Sequence, residues 1–198
     1  MNYNINIATN KSTGMFPLAQ LTAAKRQLKI LLSLLPEGST AYIAGGAPRD
    51  WHHGWGCRDV DIFYHTSDDT EAINKLSDNN LSSNYGYNGY GQGEIISVHE
   101  RKINQGSLRF RKIQYVRTII DPMLVIKTFP LSLSQIWMDT SGQIKCSNSY
   151  RVGYNQRTII QVNNSQYIYP YLEKILPRFT NYGFYPYDNS KPTDPIEE

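Results

Sequence analysis

The stretch that most constrains this chain runs from Ala41 to Tyr64, AYIAGGAPRDWHHGWGCRDVDIFY. Thr40 to Ala44 is a short β-prone run that stops at Gly45 and Gly46, where the missing Cβ atoms let a phosphate come close to the main chain. Backbone N–H groups of this turn are expected to be free for an anion. A helical turn follows over Ala47 to Trp51, with Pro48 near its first position, so the positive end of the helix dipole points at the same place. A triphosphate suits such a spot.

Beyond the Gly54 to Gly56 turn, Arg58 and Asp59 open a second strand that continues through Val60, Ile62, Phe63 and Tyr64. Asp59 and Asp61 are two apart, and the period of two along a strand puts both carboxylates on one face while Val60 and Ile62 pack on the other. Two carboxylates held that close repel unless a cation lies between them. Mg²⁺, or Mn²⁺ in its place, is the expected cation, because it takes a few carboxylate oxygens and completes its octahedron with water and substrate phosphates.

The order Gly45-Gly46-Ala47-Pro48-Arg49-Asp50, then Gly54, then Arg58-Asp59-Val60-Asp61-Ile62 resembles the signature of the head domain of tRNA CCA-adding enzymes and bacterial poly(A) polymerases, within the DNA polymerase beta nucleotidyltransferase superfamily. That pattern runs Gly-Gly-x-x-Arg-Asp, a loop with glycine, a basic residue, then Asp-x-Asp and an apolar residue, and this sequence fits it without a gap. The resemblance implies an α/β fold, a minimal nucleotidyltransferase domain with a mixed β-sheet flanked by helices. It implies a catalytic and metal-holding role for Asp59 and Asp61. It also implies a nucleotide-binding role for Gly45, Gly46, Arg49, Asp50 and Arg58, in which the glycines cradle phosphates, the arginines add charge and Asp50 braces Arg49 or the loop. The implied reaction moves a nucleoside monophosphate from an NTP to an acceptor hydroxyl, with RNA, tRNA-like RNA first, as the acceptor.

The sequence also departs from the family. Many members take a third metal-binding acid from a strand beside the Asp-x-Asp strand, yet Lys112-Ile113-Gln114-Tyr115-Val116 offers Gln114 there, with Glu94 and Glu100 as other candidates. Glutamine orients a water or a substrate but supplies no charge to a metal. Phe129 to Asp139, FPLSLSQIWMD, resembles a worn copy of the family segment Arg-Asp-Phe-Thr-Ile-Asn-Ala-Leu-Ala-Tyr-Asp, matching at Ser132, Ser134 and Asp139 but carrying Phe129-Pro130 in place of Arg-Asp. The Glu-Asp-x-x-Arg motif with which tRNA-repairing bacterial relatives read the base does not occur. Two other readings therefore stay open: a transferase of the same fold acting on a protein or a small molecule, and a catalytically decayed relative that binds nucleotide, RNA or a protein. Small standalone heads of this type also resemble bacteriophage proteins.

At 198 residues there is room for one well-buried core. The expected organisation is a flexible N-terminus at 1–16, the nucleotidyltransferase-like domain at 17–184 and an acidic, disordered tail at 185–198. Leu18, Leu21, Ala24, Leu28, Leu31, Leu32 and Leu35 draw an apolar helical stripe over Pro17 to Leu35. Ser67 is placed to cap a helix from Asp68 to Leu76, with Asp68, Asp69 and Glu71 as helix-start acids. Asn79 to Gly93 reads as a loop whose tyrosines can stack on a base, followed by strands at Glu94 to His99 and Leu108 to Thr118 about a turn near Asn104-Gln105-Gly106. Asp121-Pro122 opens a helix, Arg157 to Val162 is β-prone, and Tyr169 to Phe184 resembles the closing helix of the family's short members.

The formal charge is +3, and because the last eleven residues hold four acids and one lysine, the body carries about +6. Residues 101–117 hold six basic residues and no acid, a mild pull toward polyanions such as RNA. Cys57 and Cys146 are too few for a disulfide framework or a zinc site, which fits a reduced, cytoplasmic setting. No run approaches the length needed to span a bilayer, so no membrane partner is expected. His52 and His53 lie beside the site without a metal-ligand spacing.

Overall fold

Val60, Ile62 and Tyr64 are fully buried, while Asp59 and Asp61, which alternate with them, are partly exposed. A strand with one dry face and one half-wet end belongs in the middle of a sheet, near its rim. The computed structural model describes residues 3–5, 15–76, 79–81, 94–103, 110–162, 168–181 and 183–186. In chain order they form β1 (Tyr3–Ile5), α1 (Met15–Leu34), β2 (Thr40–Ala44), α2 (Gly46–His52), β3 (Asp59–His65), α3 (Thr70–Leu76), β4 (Asn79–Leu81), β5 (Ile95–Lys102) and β6 (Lys112–Thr118). There follow α4 (Pro122–Lys127), a 3₁₀ turn (Ser132–Ser134), β7 (Ile136–Met138), β8 (Ile144–Cys146), α5 (Asn148–Gln156), β9 (Thr158–Ile159), α6 (Ile168–Thr180) and β10 (Tyr185–Pro186).

The described strands make an eight-stranded mixed sheet in the order β1-β8-β7-β2-β3-β6-β5-β4, with β9 and β10 paired separately. Within the sheet β3 and β6 run parallel and their neighbours run antiparallel. One face carries Ile43, Ile62, Ile113 and Tyr115 into the larger core, with Leu28 and Leu31 of α1, Trp51 of α2, Ile73 of α3, Tyr150 of α5 and Phe179 of α6. The other carries Ala44, Phe63, Val98, Val116 and Trp137 against Val125 and Ile126 of α4 and against Phe129. Helices therefore cover both faces, as expected of an α/β domain. Among the described residues no helix is long and apolar enough to cross a membrane.

Several local expectations change. The N-terminal 1–16 segment contributes Tyr3–Ile5, paired antiparallel with β8. Asn79–Leu81, read as loop, pairs with β5; the remaining residues of that stretch, the Asn104-Gln105-Gly106 turn, Arg109 and 187–198 lie outside the described residues. Helix α3 is opened by Asp68, whose carboxylate receives the Thr70 N–H at 3.0 Å, in place of Ser67. Asp121 caps α4 as expected, accepting from the Met123 N–H at 2.8 Å. Strand β8 and helix α5, the latter capped by Ser147, had no clear signal in a polar stretch of sequence.

The stripe on α1 is buried as expected at Leu21, Ala24, Leu28, Leu31 and Leu35 and departs at its start. Leu18 is 58% exposed, and Gln20 is fully buried in its stead, in line with Ala24, Leu28, Leu31 and Leu35. Gln20 accepts from the Cys57 N–H at 2.8 Å and donates to the Cys57 carbonyl at 3.1 Å, and its oxygen also receives the Trp51 indole N–H at 3.3 Å. One amide thus acts as a strand partner for the connection that delivers Asp59. Replacing it leaves buried backbone groups unpaired at about 1–3 kcal/mol each. Gln20→Leu is expected to lower the unfolding free energy by about 3 kcal/mol in urea titration, while Leu18→Gln on the wet side changes it by less than about 0.5 kcal/mol.

Candidate active site

Side chains directly opposite one another on adjacent strands share a face. The register places Trp137, Ala44, Asp61, Gln114 and Glu100 in one row across β7, β2, β3, β6 and β5. Asp61 therefore stands beside Ala44, the residue before the Gly45-Gly46 turn, and Asp59 lies one step further toward that end of the sheet, opposite Lys112. Both acids lie on the face that carries the smaller core, beyond its edge and partly in solvent.

Gln114 occupies the neighbouring-strand position beside Asp61. With its amide oriented to satisfy both neighbours, its nitrogen donates to Asp61 Oδ1 at 3.0 Å and its oxygen accepts from Lys112 Nζ at 3.3 Å. Lys112 Nζ also pairs with Glu100 Oε2 at 3.0 Å. Glu100, one candidate for a third acid, is thus committed to a lysine. Among the described residues no group of three or more His, Cys, Asp or Glu is placed to hold a metal ion. Asp59 and Asp61, on one face of β3, are the carboxylates that could supply oxygens to a hard divalent cation, whose other ligands would be water and substrate phosphates.

Gly45 has φ 76°, a conformation open to glycine at little cost, and it turns the chain from β2 into α2. Its N–H was expected to be free for an anion, but it donates to the Ile136 carbonyl at 3.2 Å, tying the turn to β7. Arg49 differs too. Implied to add charge to phosphates, it is 5% exposed, gripped by Asp50 Oδ1 at 3.1 Å and stacked 4.9 Å over Phe179. Its Nη2 lies 3.6 Å from the point a Gly46 side chain would occupy, so the guanidinium buttresses the turn from behind. Asp50 holds a second arginine with its other oxygen, Arg178 of α6, at 3.0 Å. Arg58 is exposed, and its carbonyl accepts from the Arg111 N–H at 2.7 Å.

Two networks behind the site carry no sequence motif. Asp69, read as a helix-start acid, is buried; it accepts from the Tyr64 hydroxyl at 2.5 Å and from Arg117 at 2.8 Å, fastening the far ends of β3 and β6. Phe129 fills the smaller core 5.4 Å from Phe63. The other network surrounds the end of α2. His53 stacks 4.7 Å on Trp55 and meets Phe179 and Phe184 edge-on, while His52 shares a 2.7 Å hydrogen bond with the Tyr150 hydroxyl. Burial lowers His52 to about 4 and His53 to about 3, the latter helped by His52 and three nearby arginines. Cys57 and Cys146 are buried free thiols, and burial pushes Cys146 up to about 11.

No family model matches the sequence, and no curated protein matches it. Solved structures do match in shape. A CCA-adding enzyme in complex with CTP aligns with TM-score 0.59 at 13% identity over 96% of this chain and 44% of that one. The Bacillus stearothermophilus CCA-adding enzyme in complex with CTP gives 0.55 at 17% identity, over 86% of this chain and 42% of that one. The Thermotoga maritima CCA-adding enzyme complexed with tRNA gives 0.54 at 12% identity, over 96% and 44%. At such identity the likeness is one of fold: a mixed sheet flanked by helices, shared with part of those CCA-adding enzymes. The chain spans less than half the length of the enzymes it matches.

The two depressed histidines make stability depend on pH. Both imidazoles are neutral in the fold and titrate near 6.5 once unfolded, so below pH 6.5 the unfolded chain binds more protons. Stability is full above pH 6.5 and falls as the pH drops toward 4. Urea titrations at pH 7 and pH 5 are expected to show a loss of about 1 kcal/mol per histidine for each pH unit below 6.5, with a shallower slope in His53→Gln.

Proposed function

We propose that the protein is a metal-dependent nucleotidyltransferase that moves a nucleoside monophosphate from an NTP to an acceptor hydroxyl, with RNA as the acceptor. The observation that carries this reading is the register that puts Asp61 beside the last residue of β2, immediately before the Gly45-Gly46 turn, with Asp59 on the same face. Two partly exposed carboxylates on a rigid central strand next to a glycine turn are an arrangement for holding a cation and a triphosphate together. The folds that resemble this chain belong to enzymes solved with CTP, with ATP and with tRNA, which favours NTP and RNA as ligands.

Asp59 and Asp61 would hold the metal, and a bound Mg²⁺ supplies polarisation of the α-phosphate and charge neutralisation of the leaving group. The rest falls to the chain. Gly46 lets the phosphates lie against the main chain, and Asp50, Arg49 and Ile136 keep that turn from moving away from β3. Gln114 holds Asp61 from the neighbouring strand. Arg58, exposed beside Asp59, is available to the triphosphate. The acceptor oxygen bonds to the α-phosphorus, the bridge to the β-phosphate breaks, pyrophosphate departs with the bonding pair, and the hydroxyl proton passes to water. The site excludes no acceptor class, so a protein or small-molecule hydroxyl fits the same chemistry.

A second reading has its own support. Gln114 in place of a third acid, and Phe129 buried in place of arginine, both favour a decayed relative that binds nucleotide, RNA or a protein without turning over. Incubation with each labelled NTP, Mg²⁺ or Mn²⁺ and total RNA separates the two. The wild-type chain is expected to label RNA, and Asp59→Asn to lose about a hundred-fold or more of that rate at unchanged melting temperature, because the change deletes charge and keeps shape. No labelling with any NTP and metal, or equal labelling by Asp59→Asn, contradicts the transferase reading.

A further inference from the structure

The polar chain Glu100–Lys112–Gln114–Asp61 spans three adjacent strands on the face that carries the two acids. Lys112 lies opposite Asp59 and two residues before Gln114, so its side chain shares their face. Its ammonium is pinned by Glu100 at 3.0 Å and by the Gln114 oxygen at 3.3 Å, with only 31% of the side chain exposed and 13% of its partner. A flexible lysine held by two partners is a charge with a fixed address. It stands opposite Asp59, two residues along β6 from the row of Asp61, Gln114 and Glu100, where a third carboxylate would otherwise gather a further metal ion.

We propose that Lys112 is a resident cation of the site: it takes the place of a second metal ion, so that Asp59 and Asp61 accept a single divalent ion, and that ion only together with a triphosphate. The inference rests on the nucleotidyltransferase reading. Its physical basis is charge balance. Glu100 is neutralised by Lys112, which leaves the two aspartates to match one divalent ion, while the fixed ammonium repels a second at short range. Gln114 completes the device. An amide donates to Asp61 and accepts from Lys112 at once, which a glutamate there cannot do. Lys102, exposed across from Lys112, adds to the same positive bias.

The test counts bound metal. Mn²⁺ per bound nucleotide is measured by electron paramagnetic resonance and equilibrium dialysis with the α,β-methylene analogues of CTP and ATP. The wild-type chain is expected to carry one Mn²⁺ per bound nucleotide and almost none without it. Lys112→Met, which frees Glu100, is expected to carry two, and Lys112→Arg to return to one. Circular dichroism identifies any variant that fails to fold, and the wild-type count still decides the matter then. Two Mn²⁺ per nucleotide in the wild type, or the same count in wild type and a folded Lys112→Met, overturns the resident-cation proposal and leaves the transferase reading standing. No nucleotide bound at any Mn²⁺ concentration overturns both.

Discussion

Strand β3 cannot slip. Val60, Ile62 and Tyr64 are fully buried in the larger core and Phe63 is fully buried in the smaller one, so a shift of one residue would drive Asp59 and Asp61 into apolar packing and expose their neighbours. Burying two carboxylates that way is far costlier than the alternative. The hydrophobic pattern of one strand therefore sets where the two charges stand, and everything proposed for the site inherits that precision. The strand's far end is secured as well, through Asp69 and its bonds to Tyr64 and Arg117.

The charges around this strand are arranged in two separate compartments. Behind the glycine turn, Asp50 binds Arg49 and Arg178 together and draws α6 onto α2, in a pocket lined by Trp55 and Phe179 where both arginines also lie over aromatic rings. A buried carboxylate shared by two guanidinium groups is a costly thing to break, because either loss leaves charge uncompensated. On the open face, Lys112 and Glu100 balance one another beside Asp59 and Asp61. The guanidinium of Arg49 in the motif is thus held by Asp50 behind the turn, while Lys112, outside the motif, brings positive charge to the strand beside the two acids.

Much of this was legible in the residues. The alternation in β3, the glycine turn, the helix after it and the Asp121-Pro122 cap follow from local rules, and the two-apart spacing of the acids gave their common face. What local rules could not see was partnership over distance. Gln20 carries no apolar signal in the sequence, and its burial makes sense only when Cys57, 37 residues on, supplies both halves of its hydrogen-bonding pair. Asp69 reads as a helix-start acid until Arg117 arrives from β6. Gly45 reads as an open anion site until β7 lends it the Ile136 carbonyl. Strand β8 and α5 were invisible for another reason: β8 is only three residues long, α5 is mostly polar, and their stability comes from pairing and from Tyr150 and Gly153 packing inward, with Ser132 in the space a Gly153 side chain would need.

In the proposed function, Asp59 and Asp61 jointly hold the ion that accompanies a triphosphate at the Gly45-Gly46 turn. Anomalous scattering from Mn²⁺ in crystals grown with a non-hydrolysable CTP analogue addresses it directly. A Mn²⁺ peak is expected about 2.2 Å from one oxygen of each aspartate, with the triphosphate running from that ion along Gly46. A triphosphate and its ion bound elsewhere, with Asp59 and Asp61 untouched, would contradict it.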